Sequence, residues 1–333
     1  MRFFWCLIFL LIIKTVSAQP GTGNSEGNHF FSAELFSDTL KKKSILAASD
    51  SINKCRVAIV SATWATTYGG ALIGLNALWY KNYPRSSFHF FNDIGEWNQI
   101  DKVGHTYTAY FESQWSTKAF LWSGMQKKKA YILGAVTGFS LQTTLEILDG
   151  FSAEWGFSVG DISANTIGSA INMTQNFLWN EQRIRMKFSS FPEQYPAELK
   201  QRASDLYGSS FPEKVIKDYN GQTYWLSVNP SMFMKRETKF PKWLNVAVGY
   251  GADGMYGGYE NIAYDSNDIL VFNRTDIPRA RQFYLSPDIS FSRIKTNSHL
   301  LKTIFEMVDV IKFPAPSLEY NTNRQVKFHW IYF

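Results

Sequence analysis

The stretch from Val57 to Trp79, VAIVSATWATTYGGALIGLNALW, contains no charged residue and restricts the folding of this chain more than any other feature. A helix of about 20 apolar residues is long enough to cross the hydrocarbon core of a membrane. Gly69, Gly70 and Gly74 give this helix small positions at which another helix can approach closely. The stretch predicts a long helix that lies either in a membrane or inside a soluble bundle, and the sequence leaves both open.

Two further charge-free runs follow along the chain. Residues 130–145 contain Gly134 and Gly138 in a G-x-x-x-G spacing, whereas residues 162–179 are rich in Asn and Gln. Because buried amides need hydrogen-bond partners, this last run favours a packed and partly polar interior. Together with a helix predicted over residues 101–115, these runs predict that residues 55–185 form a domain of about four helices.

Residues 1–18, MRFFWCLIFLLIIKTVSA, have the arrangement of a cleaved secretory signal: Arg2, an apolar core, and small residues at the end. A retained anchor helix is the alternative. Cys6 is not preceded by the small residues that a lipoprotein cleavage site requires, so we expect export without lipidation there. Residues 19–54 are expected to be a polar, Gly-rich linker followed by a short helix around residues 33–43.

The composition limits the cross-links and the partners of the chain. Once the signal is removed, Cys55 is the only cysteine, which excludes an internal disulfide and a cysteine-based metal site. The formal charge is +6, or +4 without Arg2 and Lys14. In an exported protein this excess favours anionic lipid or envelope polymer over nucleic acid. Aromatic residues make up 17% of the chain, which is typical of membrane interfaces or of ring-rich ligand surfaces.

Residues 186–333 are expected to form a β-rich extension with an amphipathic helix. The runs that alternate apolar and polar side chains as strands do are 224–228, 243–251, 282–294, 317–320 and 327–333. The segment LLKTIFEMVDVIKF places Leu301, Ile304 and Val308 on one helical face. Since about five strands are fewer than a closed membrane barrel needs, we expect a small antiparallel sheet and an α+β fold. A partial β-belt in the outer membrane stays open.

The final strand allows a more detailed prediction. Simple alternation places Phe328, Trp330 and Tyr332 on one face of that strand, and His329 and Phe333 on the opposite face.

Polar residues form a stripe on each of three predicted helices. Asp101 and His105 are four residues apart, and so lie on one face. The other two stripes are Gln142, Glu146 and Asp149, and Asp161, Asn165, Gly168 and Asn172. Ser158 is placed to cap the last of these helices. Because unpartnered polar groups cost several kcal/mol in a dry interior, we expect the stripes to face one another.

The motifs DKVGH, LEILDG and WGFSVGDISANTIGSA together resemble the YfiM-like family of predicted periplasmic or lipoprotein-type bacterial proteins of unknown function. More distantly they are similar to the VanZ-like membrane family. The resemblance covers residues 98–175, and implies a site without implying a reaction. The positions that carry the family pattern are Asp101, Lys102, His105, Glu146, Asp149, Asp161, Asn165 and Gly168. The chain departs from the pattern in lacking a lipobox cysteine.

Two interpretations of these residues stay open. In the first they form a structural polar network: Gly168 permits close helix contact, and Asn165 bonds a backbone group. In the second, His105 is a base or a metal ligand, Glu146 and Asp161 are its carboxylate partners, and Asp101 orients the ring. Lys102, Asp149, Asn165 and Gly168 would then contribute to binding. One histidine with carboxylates suits a divalent metal, although the sequence leaves the cofactor unknown.

The sequence therefore predicts an exported cell-envelope protein, periplasmic or associated with the outer membrane. Its expected partners are a membrane or lipid and another envelope protein, but no nucleic acid. The leading interpretation is a membrane-associated structural or ligand-binding role. The alternative is a hydrolase that acts on lipid or cell-wall precursors through the histidine and carboxylates. No strong catalytic spacing, such as H-E-x-x-H or G-x-S-x-G, is present, so the sequence does not decide whether the protein is an enzyme.

Overall fold

The computed structural model describes residues 45–78, 84–234, 239–265 and 267–333. The predicted signal, the start of the linker and the short helix around residues 33–43 lie outside the described residues. Within them the chain forms helices first and an antiparallel sheet afterwards, which confirms the α+β fold class.

The helices are α1 (Lys54–Leu78), α2 (Ile100–Trp122), α3 (Lys127–Asp149), α4 (Val159–Trp179), α5 (Lys200–Tyr207), α6 (Phe211–Lys217) and α7 (His299–Val308). The strands are β1 (Ile184–Ser190), β2 (Gln222–Val228), β3 (Leu244–Asp253), β4 (Ile262–Tyr264), β5 (Leu270–Asn273), β6 (Ala280–Ile289), β7 (Ala315–Asn321) and β8 (Val326–Tyr332). Strands β1, β4 and β5 were not expected from the sequence, and β1 begins just inside the predicted helical domain. The six-stranded sheet has the order β1-β2-β3-β6-β7-β8, with all neighbours antiparallel.

Helix α2 is shared by the helical and β-rich parts of the fold. One face of α2 packs on the sheet, where Tyr107 and Tyr110 join a buried cluster with Phe188 of β1 and Tyr224 of β2. The opposite face of α2 packs on α3 and α4. The site-bearing helix is therefore enclosed from both sides, and its polar residues must find partners within the protein.

Glycines set how closely the helices approach α2. A Cβ atom at Gly168 of α4 would lie 2.1 Å from the backbone oxygen of Thr106 on α2. On α3, a Cβ atom at Gly134 would lie 2.0 Å from Thr117 Oγ1, and one at Gly138 would lie 2.3 Å from Ser113 Oγ. Only glycine fits at these separations, so backbone-to-backbone contact draws the polar stripes of the three helices together.

Helix α1 differs from the other long helices in its exposure. Among the described residues, Lys54–Gly74 is the one helical stretch that is long and apolar enough to cross a membrane, and only 12% of its most apolar window is buried. Ile59 and Ile73 are 51% and 73% exposed. The other two charge-free runs lie in α3 and α4. These helices are less apolar than α1 and pack against α2.

The final strand does not follow the predicted alternation. Ser317 pairs with His329 and Ala315 pairs with Tyr332, so β8 contains one extra residue between these pairs. Such a bulge reverses the facing of the side chains beyond it. Tyr332 therefore turns inward and lies on the same side as His329, with ring centroids 5.0 Å apart. The prediction that Tyr332 shares a face with Phe328 and Trp330 is wrong for this reason.

The inner face of the sheet holds a buried group of charges. Lys187 donates to Asp288 Oδ2 and to Asp309 Oδ1, both at 2.8 Å, and Arg185 lies 3.1 Å from Asp309 Oδ2. Burial raises the pKa of Asp309, but Arg185 and Lys187 outweigh it and hold that pKa below its usual value. Lys312 stands farther away, 3.9 Å from Asp288 Oδ1, and burial lowers its pKa to about 8 despite the attraction of Asp288.

We predict that Gly168→Ala destabilises the protein by about 1–3 kcal/mol, because the new methyl group overlaps the α2 backbone. Gly74→Ala is the matched control, since no atom lies within 4 Å of a Cβ at that position of α1. The control should change stability by no more than about 1 kcal/mol, in the stabilising direction. Urea denaturation of both variants measures the difference; equal effects would contradict the close contact.

A second pair of variants tests the buried charges. Lys187→Met removes the closest cation from two buried carboxylates, and we expect a loss of about 3–5 kcal/mol. Lys312→Met leaves Arg185 and Lys187 against two carboxylates, so we expect a change within about 1 kcal/mol. Chemical denaturation at neutral pH compares the two. A large loss in Lys312→Met would show that its ammonium is required.

The lowered pKa of Lys312 also predicts a dependence on pH. Between pH 8 and the ordinary lysine value of 10.5, the unfolded chain holds a proton on this amine that the folded chain has lost. Stability contributed by this group therefore rises with pH across that window. Denaturation at several pH values should show a smaller rise in Lys312→Met than in the unaltered protein.

Candidate functional site

The N-terminus of α2 is fixed by an unusual backbone turn. Trp97, Asn98 and Gln99 have φ angles of 50°, 50° and 61°, a left-handed conformation that residues other than glycine rarely adopt. The turn is held from the sheet, because Tyr250 of β3 and Arg281 of β6 both donate hydrogen bonds to the carbonyl oxygen of Asn98. The sheet thereby positions the first turn of α2, which carries Asp101, Lys102 and His105.

His105 lies at the centre of the site and is 1% exposed. Its Nδ1 atom is 3.0 Å from Asn165 Oδ1 and 3.5 Å from Glu146 Oε1. Its Nε2 atom is 3.2 Å from Asp161 Oδ1 and 3.8 Å from Asp101 Oδ2. Both ring nitrogens thus face oxygen atoms that accept hydrogen bonds, whereas a neutral imidazole carries only one N–H. A second proton or another cation would satisfy the second nitrogen and its carboxylates.

Lys102 lies beside the histidine and contacts three carboxylates. Its Nζ atom is 2.6 Å from Asp93 Oδ2, 2.9 Å from Asp161 Oδ1 and 3.1 Å from Asp101 Oδ2. Burial opposes the charge on this ammonium, but Asp101 and Asp161 outweigh it and raise the pKa of Lys102 above its usual value. Lys102 is therefore a permanent cation at the edge of the site, where its side chain is 13% exposed.

A helix cap holds Asp161 in position. Ser158 Oγ accepts a hydrogen bond from the Asp161 backbone at 3.0 Å, which confirms the predicted cap of α4. The same hydroxyl donates to Asp93 Oδ1 at 2.5 Å. Asp93 therefore bridges the cap and Lys102, yet it lies in a loop before α2, where no helical periodicity could have identified it from the sequence.

Other acidic groups were also missed. Burial raises the pKa of Glu96 to about 7, and the nearby Asp93 and Asp101 add to the rise. Glu112 lies two turns after His105 on the same face of α2 and accepts a hydrogen bond from Gln142 Nε2 of α3 at 2.9 Å. It follows His105 by seven residues and Thr108 by four, so a helical wheel would have placed Glu112 on the face that carries His105.

The structure brings most of the residues singled out in the sequence into one cluster. Those in direct charge or hydrogen-bond contact with one another are Asp101, Lys102, His105, Glu146, Asp161 and Asn165. Asp149 is the last residue of α3 and is partly exposed, one turn beyond Glu146. Gly168 contacts the α2 backbone and provides space rather than a polar group.

Three of these side chains converge closely enough to share a ligand. Asp101, His105 and Asp161 each offer one donor atom, and the donor atoms all lie within 4.8 Å of one another. Their side chains are 22%, 1% and 5% exposed, so the group is open to solvent only at Asp101. A separate cleft of about 530 Å³ is lined by residues of the segment from Glu193 to Lys214, and none of the three lines it.

Comparison with known proteins places this helical region in the cell envelope. Residues 89–177 match the model of a family described as "Predicted periplasmic lipoprotein (DUF2279)", a match that includes Asp93 and all of α2 and α3. No curated protein and no solved structure matches the chain. The match supports an uncharacterised periplasmic family and confirms the expected exported location, periplasmic or associated with the outer membrane.

Proposed function

We propose that this envelope protein binds a divalent cation through Asp101, His105 and Asp161. The observation that carries the proposal is the convergence of one imidazole and two carboxylates, with donor atoms within 4.8 Å of one another. Nitrogen and oxygen ligands of this kind suit borderline or hard divalent ions such as Zn²⁺ or Mn²⁺.

The charges around the centre support a cation. Four carboxylates meet there, those of Asp93, Asp101, Glu146 and Asp161, whereas Lys102 is the ammonium that contacts three of them. Carboxylates that lie this close together repel one another where burial limits screening by water. A divalent ion between them would lower that repulsion.

The contacts of the histidine ring support the same assignment. Histidines that bind metals commonly donate the N–H of their other ring nitrogen to a carboxylate or carbonyl oxygen, which fixes the ring and its tautomer. Here Asn165 Oδ1 and Glu146 Oε1 face Nδ1, while Nε2 faces Asp101 and Asp161. Glu146 and Asn165 are therefore positioning residues, and Nε2 is the ligand atom.

The ammonium of Lys102 contacts carboxylate oxygens of Asp101 and Asp161 that would also bind the cation. The shortest contact of its ammonium is with Asp93 Oδ2, at 2.6 Å, and Asp93 is not one of the three converging ligands. Lys102 can keep this partner while Asp101 and Asp161 bind an ion. We therefore expect Lys102 to weaken the affinity for the cation without preventing binding.

A hydrolase acting on lipid or cell-wall precursors is the second candidate. It would use the same residues, and the observation in its favour is the 22% exposure of Asp101, which leaves one side of the centre open to a substrate. His105 would then act as base or ligand, and the cation would polarise the substrate or a water molecule.

We predict that the purified, chelator-treated protein binds Mn²⁺ or Zn²⁺ in calorimetric titration, and that Asp161→Asn lowers the affinity by about 10–100-fold or more because a charged ligand is lost. His329→Gln is the matched control, since His329 pairs with Glu319 at 2.7 Å on the sheet, away from the three ligands. The control should bind normally. Equal affinity in all three proteins, or no binding at all, would overturn the proposal.

Thermal denaturation separates a cation site from a purely structural network. A cation at about 100 times its dissociation constant should stabilise the protein by about 2.7 kcal/mol, and Asp161→Asn should abolish this gain. In a structural network the ion would have no effect, while His105→Gln would still cost about 1–3 kcal/mol through unpaired buried groups. A stability loss in His105→Gln without any response to the ion would therefore favour the network.

A further inference from the structure

The six-stranded sheet carries buried polar groups on its inner face and exposed apolar side chains on its outer face. Six polar or charged side chains that point inward are each 0–2% exposed, namely Ser227, Asn245, Ser286, Asp288, Ser317 and Glu319. They lie beside a smaller apolar cluster of Trp225, Ala247 and Tyr284. The side chains that alternate with them point outward and are apolar. In water-soluble antiparallel sheets the buried face is apolar and the exposed face polar.

The register aligns the outward side chains into continuous rows. Direct cross-strand partners in one row are Leu226, Val248, Leu285, Leu318 and Phe328. The partners in the next row are Tyr224, Tyr250, Phe283, Tyr320 and Val326. All members of the first row are 44–56% exposed, and α2 covers only the Tyr224 end of the second. No charged side chain occurs in either row.

The sheet is strongly curled, so this apolar surface is convex. Strands β2 and β8 are separated by β3, β6 and β7, which in a flat sheet would put them about 19 Å apart at the usual spacing between strands. Yet Tyr332 of β8 contacts Thr223 of β2, with their hydroxyl oxygens 3.0 Å apart, and its ring lies 6.1 Å from that of Trp225. The buried polar side chains and a cluster of aromatic rings therefore fill the inside of the curl, and the apolar rows cover its outside.

We propose that the convex apolar face of this sheet inserts into the acyl-chain region of a lipid bilayer. Eight of the ten row members are 43–66% exposed, and Val246 and Trp330 beside them are 43% and 80% exposed. These ten side chains give an apolar surface on the order of 900 Å², which exceeds the largest patches of about 300–600 Å² on typical soluble monomers. Strands that alternate apolar outside and polar inside are the pattern of proteins that face lipid with a sheet.

Shape and charge favour lipid over a second copy of the chain. Two rigid convex surfaces touch along a narrow line, so a dimer through this face would leave most of the rows in water, whereas fluid acyl chains cover a convex surface completely. An exposed cation, Lys242, lies just before β3, at the end of the strands towards which Trp330 also lies. This position suits the anionic headgroups that border an apolar layer.

The height of the face limits the depth of insertion. Successive outward residues of a strand are about 7 Å apart, so the two rows and Val246 beyond them cover about 14 Å. The hydrocarbon core of a bilayer is about 30 Å thick. The sheet therefore reaches through about one leaflet and does not span the membrane. Trp330, which is 80% exposed next to Phe328, is placed as an interfacial anchor.

The test must distinguish the sheet from α1, because α1 alone could hold the chain on a membrane. In the full chain with Cys6→Ser and Cys55→Ser, a single cysteine is introduced by Leu285→Cys or by Leu318→Cys and labelled with an environment-sensitive fluorophore. The control position is Glu198→Cys, on an exposed turn before α5. Each protein is reconstituted into vesicles of phosphatidylethanolamine and phosphatidylglycerol, with or without bromine on the acyl chains.

We expect brominated acyl chains to reduce fluorescence at both sheet positions by about twofold or more, and to leave the control label unchanged, because quenching needs contact with the hydrocarbon. Sheet labels that stay unquenched and water-like in vesicles would overturn the proposal. Disulfide cross-linking between copies through Leu285→Cys, without quenching by lipid, would also overturn it and would assign the face to self-association. Near-ultraviolet circular dichroism confirms that the labelled proteins are folded.

Discussion

The enclosure of α2 between two helices on one side and a sheet on the other is the constraint on which the rest of the structure depends. An enclosed helix cannot leave polar groups to water, so each one needs a partner within the protein. Close contact at Gly138 of α3 and Gly168 of α4 brings those partners within hydrogen-bond distance of α2. The same contacts that pack the helices therefore assemble the charged centre. Replacing the polar residues of the centre would require the three helices to pack differently.

Two of the buried groups of charge among the described residues differ in balance. Against the inner face of the sheet, the two carboxylates of Asp288 and Asp309 face three cations, Arg185, Lys187 and Lys312, so the cations outnumber the carboxylates there. Around His105 the carboxylates of Asp93, Asp101, Glu146 and Asp161 face Lys102 and the imidazole. This difference in balance supports the proposal that the group around His105 binds an additional cation.

Helical periodicity predicted the site residues that lie on helices, but not those that lie in loops. Residues 161, 165 and 168 lie on one face of α4 whatever the tertiary structure, so their alignment could be read from spacing alone. Asp93 could not, because it lies in a loop, and only the cap at Ser158 and the position of Lys102 bring it to the centre. Strand alternation located most of the strands of the sheet. It does not tell which face of the sheet is buried, and the bulge in β8 turned the Tyr332 side chain to the opposite face from the one predicted.

The outward face of the sheet and the charged centre are connected through the turn before α2. Tyr250 lies in an outward apolar row of β3, yet its hydroxyl donates to Asn98, whose strained conformation sets the start of the helix that carries His105. Arg281 donates to the same carbonyl oxygen from β6. A movement of these two strands would therefore act first on the backbone of Asn98 and next on Asp101, the most exposed of the three converging side chains. The proposed contact of the sheet with lipid and the proposed binding of a cation would thus be linked through the carbonyl group of Asn98.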